Sequence, residues 1–184
     1  MRLFIAIALP EDLRAQLSKL HQGVPAARWV DPDNLHLTLR FIGEADGAQA
    51  QDLDAALTQV RAERFDVTLT GVDCFGRGRK SRALWAGIAP CPKLDCLRRK
   101  VEQAARAAGF APEGRKFKPH VTLARFKGDP GFRLHDFLAC HTAFRATPFT
   151  AQEFVLFSSV LAQTGAIYTS EATYSLAPGG EAAF

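Results

Sequence analysis

Two short stretches of nearly the same spelling contain the residues best suited to chemistry. The first runs His36-Leu37-Thr38-Leu39 and the second runs His120-Val121-Thr122-Leu123, and each is followed closely by Arg and Phe. Successive side chains of a β-strand point to opposite faces. In each strand the histidine therefore shares a face with the threonine two residues later, and the apolar residues take the other face. If the apolar faces enter the core, two imidazoles and two hydroxyls line one surface.

Such a pair of histidines can move protons at neutral pH. The ordinary pKa of histidine is near 6.5, so one ring can accept a proton while the other donates one. Phosphoryl transfer needs both steps, together with hydroxyl donors that hold the non-bridging oxygens. A nearby arginine would neutralise charge there, and Arg40 and Arg125 are the candidates, with Arg40 on the face of His36 by simple alternation.

Motifs missing from the sequence narrow the chemistry further. The chain has neither a Gly-rich Walker loop nor a Gly-x-Ser-x-Gly elbow. Carboxylates do not cluster beside either His-x-Thr, and a metal site requires more ligands than two histidines. We therefore expect a phosphodiesterase that uses no metal and no cofactor. A strained ester such as a 2′,3′-cyclic phosphate would suit it best.

The pattern around these motifs predicts strand, helix, strand in each half of the chain. Apolar periodicity predicts one domain over residues 1–184, made of two similar lobes. The predicted helices follow Pro10 and cover about Ala48–Ala62, Lys93–Ala108 and Leu134–Cys140. The main predicted strands are Arg2–Leu9, Leu35–Ile42, Phe65–Phe75, Arg82–Ile88, Phe117–Phe126, Phe149–Leu161 and Ile167–Leu176, the last two joined across Gln163-Thr164-Gly165.

Composition is that of an ordinary globular protein with a mild excess of positive charge. The formal net charge of +4 favours an anionic partner only weakly. Four cysteines without a Cys-x-x-Cys pair indicate free thiols in a reducing cytoplasm. The apolar start is short and is followed by Glu11 and Asp12, so we interpret it as a buried strand and expect no membrane segment.

The sequence resembles the two-histidine (2H) phosphoesterases, specifically the RNA 2′,3′-cyclic phosphodiesterases formerly called 2′-5′ RNA ligases (LigT-like). The resemblance covers nearly the whole chain. It rests on the opening strand, on both histidine motifs with their flanks, and on Leu84-Trp85-Ala86-Gly87 and Leu156-Phe157-Ser158-Ser159. It implies an α+β, bilobal two-sheet fold with pseudo-two-fold related lobes, helices on the outer faces and a central cleft.

The resemblance also implies a role for each site residue. His36, Thr38, His120 and Thr122 would hold the phosphate, and Arg125 would contact the nucleotide. His120 would act as general base on water and His36 as general acid on the departing 3′ oxygen, leaving a 2′-phosphate. The expected partner is RNA or a nucleotide with a 2′,3′-cyclic phosphate end, bound by a cytoplasmic monomer. One departure is Ala166-Ile167-Tyr168, where the family usually has an arginine before the tyrosine.

Several alternatives remain open at the level of sequence. The same groups could form a non-catalytic module that binds RNA ends or nucleotides. The chemistry could also act on another substrate, such as ADP-ribose cyclic phosphate or a 2′-5′ oligonucleotide, or run in reverse as a 2′-5′ RNA ligase. The basic loop Arg77–Arg82 could steer RNA phosphates or could be a solvated hairpin tip. Phe4, Phe41, Trp85 and Phe126 could stack a base or lie in the core.

Overall fold

The computed structural model describes residues 1–162 and 165–179, which form four α-helices and ten β-strands. The helices are α1 (Glu11–Ser18), α2 (Gly47–Thr58), α3 (Pro92–Ala107) and α4 (Phe132–His141). The strands are β1 (Arg2–Ala8), β2 (Ala27–Trp29), β3 (His36–Glu44), β4 (Phe65–Val67), β5 (Leu69–Phe75), β6 (Ala83–Ile88), β7 (His120–Phe126), β8 (Phe149–Ala151), β9 (Glu153–Ala162) and β10 (Gly165–Ser175).

These elements agree with the predicted ones except at their edges. The predicted strand Phe65–Phe75 is divided into β4 and β5, and Phe149–Leu161 is divided into β8 and β9. In both cases the first short piece joins a separate two-stranded sheet, in which β4 pairs with β8. The turn predicted at Gln163-Thr164 lies outside the described residues.

The main sheet has eight strands, and it falls into two lobes of four strands each. Seven strands lie in the order β10-β9-β1-β3-β7-β6-β5, and the eighth, β2, also pairs with β7. We call β3, β1, β9 and β10 the first lobe, and β7, β6, β5 and β2 the second lobe. Each lobe contains one strand-helix-strand unit, β1-α1-β3 or β6-α3-β7, whose strands are antiparallel. The predicted α+β bilobal class is confirmed.

The two lobes meet where the two histidine strands approach each other. β3 and β7 pair at one point, Leu37 with Val121. The strands diverge from there, and β2 pairs with the other end of β7, from Ala124 to Phe126. The single pairing places both histidine motifs at the boundary between the lobes.

The apolar face of the sheet supplies the core. Leu37, Leu39, Val121 and Leu123 are all at most 2% exposed. The helices pack against this face through apolar stripes, and α3 shows the pattern clearly, with buried residues at Leu94, Leu97, Val101 and Ala105. Burial of each large aliphatic side chain stabilises the fold by about 1.5–3 kcal/mol. The opposite face of the sheet therefore remains available for the histidines and threonines.

Candidate active site

The pairing of β3 with β7 brings the two His-x-Thr motifs together. Since Leu37 lies opposite Val121 in antiparallel strands, continuing the register by one residue puts His36 across from Thr122 and Thr38 across from His120. All four side chains are half-buried, whereas Leu37 and Val121 between them are buried. The result is a compact square of two imidazoles and two hydroxyls on one face.

Each imidazole is held by the same hydrogen bond to the main chain. His36 Nδ1 lies 2.7 Å from the carbonyl oxygen of Asn34, and His120 Nδ1 lies 2.7 Å from that of Lys118. A carbonyl oxygen can only accept, so Nδ1 must carry the proton in both rings. In the neutral ring Nε2 is therefore unprotonated and able to accept a proton. The carbonyl fixes the tautomer that a general base requires.

A β-bulge brings Arg125 to the same face as His120. Strict alternation along β7 would put Arg125 on the core side, with Val121 and Leu123. The pairing to β6 shifts instead: Leu84 faces Ala124 and Trp85 faces Thr122, so Leu123 is an extra residue. The bulge reverses the alternation after Leu123, and Arg125 becomes exposed on the side of the histidines. Its charge lowers the pKa of both imidazoles, which places it close to both.

An equivalent bulge in β3 turns Arg40 away from the site, so its assignment to the face of His36 was wrong. Ile5 faces Arg40 and Ala6 faces Thr38, which makes Leu39 the extra residue. Arg40 is 8% exposed. Its Nε lies 2.8 Å from Oε2 of Glu102, so the two side chains form an ion pair. The angle at the Nε–H group is outside the range of a hydrogen bond. Arg40 also reaches Glu113 at 3.6 Å. It stabilises the packing of α3 and its following loop against β3.

The bulge in β3 puts Phe41 at the position that corresponds to Arg125 in the other lobe. Phe41 is 46% exposed, and its ring centroid lies 6.2 Å from that of Phe4. By contrast Phe4 and Trp85 are 4% and 6% exposed. Of the four aromatic residues considered for base stacking, Phe41 is thus exposed, Phe126 is half-buried against the core, and Phe4 and Trp85 are buried.

Aromatic rings surround each histidine. Phe4 and Tyr168 lie 4.9 and 5.4 Å from His36 between ring centroids. Phe75 and Trp85 lie 4.9 and 6.0 Å from His120. Phe75 and Tyr168 were not identified from the sequence, because each lies on a strand that is distant along the chain and has no motif. These rings restrict the imidazoles and remove water from them.

This environment lowers the pKa of both histidines below the ordinary value. For His36 the main cause is burial, and the charges of Arg125 and His120 act in the same direction. For His120 the main cause is again burial, with Lys118 and Arg125 contributing. In each case the hydrogen bond from Nδ1 to the main chain opposes the shift. In the protein without substrate, both imidazole rings are consequently mostly neutral at pH 7.

Strand β10, at the edge of the first lobe, contacts the residue that holds His36. Asn34 Nδ2 donates to the carbonyl oxygen of Ala166 at 2.9 Å, while the carbonyl oxygen of Asn34 accepts from His36. Tyr168 adds an edge-on contact to the same imidazole. Position 167, where the resemblance led us to expect an arginine, is Ile167, which is 56% exposed. Strand β10 therefore braces His36 but offers no cation at that position.

Two further observations concern the described part of the chain. Within residues 1–162 and 165–179, no three side chains of His, Cys, Asp or Glu are grouped so that they could hold a metal ion. No helix in those residues is both long and apolar enough to cross a membrane.

Comparison with known proteins relates this site to a family. A family model described as LigT like Phosphoesterase matches residues 7–85 and 88–168, and each segment contains one histidine motif. An RNA 2′,3′-cyclic phosphodiesterase from Aeropyrum pernix is 40% identical over 116 residues, which is 62% of this chain and 65% of the relative. The protein of that name from Escherichia coli is 32% identical over 178 residues, covering 91% and 92% of the two chains. The crystal structure of E. coli LigT complexed with 3′-AMP has a TM-score of 0.78 at 29% identity, over 95% of this chain and 97% of LigT.

Proposed function

The chain belongs to the LigT-like phosphoesterases, and we propose that it hydrolyses RNA 2′,3′-cyclic phosphate ends to 2′-phosphates by two-histidine acid–base catalysis. The observation that carries this proposal is the pair of matched histidines on β3 and β7, each with its Nδ1 proton donated to a carbonyl two residues upstream. That hydrogen bond leaves both Nε2 atoms available for proton transfer.

The two imidazoles take opposite roles in the proposed reaction. Nε2 of neutral His120 accepts a proton from a water molecule as the water oxygen bonds to phosphorus. The bond from phosphorus to the 3′ oxygen breaks, and Nε2–H of protonated His36 donates its proton to that oxygen. The product is a 2′-phosphate with a free 3′-hydroxyl. His120 ends protonated and His36 neutral, so proton exchange with solvent restores the starting state.

The remaining groups bind the anion. The hydroxyls of Thr38 and Thr122, on the same face of the sheet as the two rings, donate to the non-bridging oxygens, where charge accumulates in the transition state. Arg125, exposed beside both histidines, supplies a positive charge. The fixed tautomers favour proton transfer over the alternative of simple phosphate binding, because binding alone would require no particular ring nitrogen.

The wider setting follows from the same proposal. The chain acts as one domain of two lobes, since the square needs a motif from each. It works as a monomer in the cytoplasm, where its four free cysteines stay reduced. The same reaction with a 5′-hydroxyl in place of water would form a 2′-5′ bond as the bond from phosphorus to the 3′ oxygen breaks, so weak 2′-5′ ligation is expected at high RNA-end concentration.

The direct test is incubation of the purified protein with a 2′,3′-cyclic nucleotide and with a short RNA carrying the same end. Phosphorus NMR identifies the position of the product phosphate. We expect only the 2′-phosphate from both substrates. Formation of the 3′-phosphate would show that the 2′ oxygen leaves instead of the 3′ oxygen. The absence of any product would favour a binding module.

A further inference from the structure

The loop between β5 and β6 carries a concentration of positive charge that the proposed reaction does not use. Arg77, Arg79, Lys80 and Arg82 are exposed within six positions of sequence. Lys127, just after β7, is exposed as well. Together with Arg125 we call these residues the basic strip. These six positive charges outnumber the net charge of the whole chain, which is +4.

Both ends of the loop are fixed beside the candidate active site. Phe75, immediately before the loop, lies edge-on to His120. Ala83, immediately after it, is the cross-strand partner of Arg125. The Phe126 N–H donates to the carbonyl oxygen of Arg82 at 2.9 Å, which joins the end of the loop to the end of β7. The basic strip therefore begins at the histidines and continues outward across β6 and β5, over about 10 Å at the usual spacing of strands.

The loop has a defined conformation that presents its cations outward. Gly76 has a φ of +89°, and a Cβ there would overlap the carbonyl oxygen of Lys80, so only glycine fits. Lys80 and Ser81 donate their N–H groups to the carbonyls of Arg77 and Gly78, each at 3.0 Å. Ser81 is buried, whereas the basic residues around it are exposed. Little conformational entropy of the backbone would be lost when this loop binds an anion.

The charges of the loop are only partly balanced by the protein. Arg79 Nε lies 3.3 Å from Oδ2 of Asp129. Arg77, Lys80 and Arg82 form no ion pair with any residue that the structure describes. Three cations on one loop without carboxylate partners make a surface that attracts a chain of phosphates.

We propose that the basic strip binds the phosphodiester backbone of the RNA strand directly 5′ of the cyclic phosphate. This inference rests on the proposed function and specifies its substrate: an RNA end several nucleotides long, in preference to a free cyclic mononucleotide. Contacts to backbone phosphates carry no base information, so they raise affinity for any RNA sequence. The enzyme accordingly acts on single-stranded RNA ends whatever their sequence.

The test compares two substrates and two charge-matched variants. The substrates are 2′,3′-cyclic AMP and a ten-nucleotide RNA ending in adenosine 2′,3′-cyclic phosphate. The test variant is Arg77→Ser with Lys80→Ser, which leaves the Arg79–Asp129 pair and the site residues in place. The control variant is Arg99→Ser with Arg106→Ser, which removes two exposed charges from α3. The value of kcat/KM is measured for each from 50 to 200 mM salt.

We expect the test variant to lose about tenfold in kcat/KM on the oligonucleotide at low salt and to keep its rate on cyclic AMP. Its plot of log kcat/KM against log salt should be shallower by about 1.4, since each lost contact to a single strand removes about 0.7 from the slope. Equal losses in the control variant, or an unchanged salt slope in the test variant, would overturn the inference. If the unmodified protein turns over neither substrate, the proposed function itself fails, which is a separate result.

Discussion

At the scale of single residues, the site depends on which nitrogen of each imidazole carries the proton. Both Nδ1 atoms donate to main-chain carbonyls, so the proposed proton transfer must use Nε2. Burial and the Arg125 charge then lower both pKa values. A ring with a lowered pKa is a weaker base but, once protonated, a stronger acid, and the proposed reaction needs one ring in each state.

The pH dependence of kcat/KM on cyclic AMP should show this directly. The fraction of free enzyme with one ring protonated and the other neutral is greatest between the two pKa values. Both pKa values lie below 6.5, so we expect a bell-shaped profile with its maximum on the acidic side of pH 6.5. A maximum above pH 7 would contradict the lowered pKa values.

Two substitutions should move the limbs of that profile differently. Arg125→Met removes a positive charge that lowers both pKa values, so both limbs should shift to higher pH. Lys118→Met removes a charge that lowers the pKa of His120 but does not affect the pKa of His36, so only one limb should shift. The limb that moves identifies His120. Equal movement of both limbs in Lys118→Met would show that the two rings titrate as one coupled pair.

At the scale of elements, two β-bulges decide which side chains reach the site. Each bulge adds one leucine directly after the His-x-Thr motif, Leu39 in β3 and Leu123 in β7. The residues that follow are thereby inverted relative to simple alternation. Arg40 is turned into the packing beneath the sheet, and Phe41 and Arg125 are turned toward the histidines. At corresponding positions, the first lobe thus presents the aromatic ring of Phe41 and the second lobe presents the guanidinium of Arg125.

The opposite roles of the two arginines can be separated by measurement. Arg40→Met should lower the free energy of unfolding by about 2 kcal/mol, because it leaves the half-buried Glu102 carboxylate with the more distant Arg98, at 3.8 Å, as its cationic partner. Activity per folded molecule should remain near that of the unmodified protein. Urea unfolding and kcat on cyclic AMP provide the two readouts.

Arg125→Met serves as the matched comparison, because Arg125 is exposed. It should change stability by less than about 0.5 kcal/mol and lower kcat/KM at least tenfold. If Arg40→Met instead abolished activity without loss of stability, the placement of Arg40 beneath the sheet would be wrong.

The histidine motifs show how far alternation can be followed from sequence. It correctly placed His36 and Thr38 on one face with Leu37 and Leu39 buried, because the core residues of a strand set its register. It failed one residue later, at Arg40, since a bulge depends on pairing with a neighbouring strand and leaves no signal in its own sequence. Contacts such as that of Tyr168 with His36 could not be predicted from the sequence for the same reason. They depend on how distant strands pack together.

At the scale of the whole molecule, the site exists only where the two lobes meet. Each matched half of the chain supplies one histidine and one threonine, and a single pair of residues, Leu37 and Val121, sets their register. The basic strip extends from this junction along the second lobe only. The molecule is therefore symmetric in its acid–base groups and asymmetric in the groups that would hold the rest of the substrate.

Acid–base catalysis by imidazoles alone predicts that turnover is independent of metal ions. Activity on cyclic AMP should be unchanged after dialysis against EDTA and should not rise when Mg²⁺, Mn²⁺ or Zn²⁺ is returned. A loss of activity in chelator that is restored by one of these ions would require a metal in the mechanism.

The most direct test of the central claim is a double-mutant cycle on the two imidazoles. His36→Ala and His120→Ala are each made alone and together, and kcat on cyclic AMP is measured after circular dichroism has verified folding. Since a positioned acid or base contributes about 10²–10⁴-fold, each single variant should lose at least about a hundredfold, and the double variant should be little worse than the poorer single one. Near-normal turnover in either single variant, or losses that simply multiply in the double variant, would contradict joint action on one phosphate.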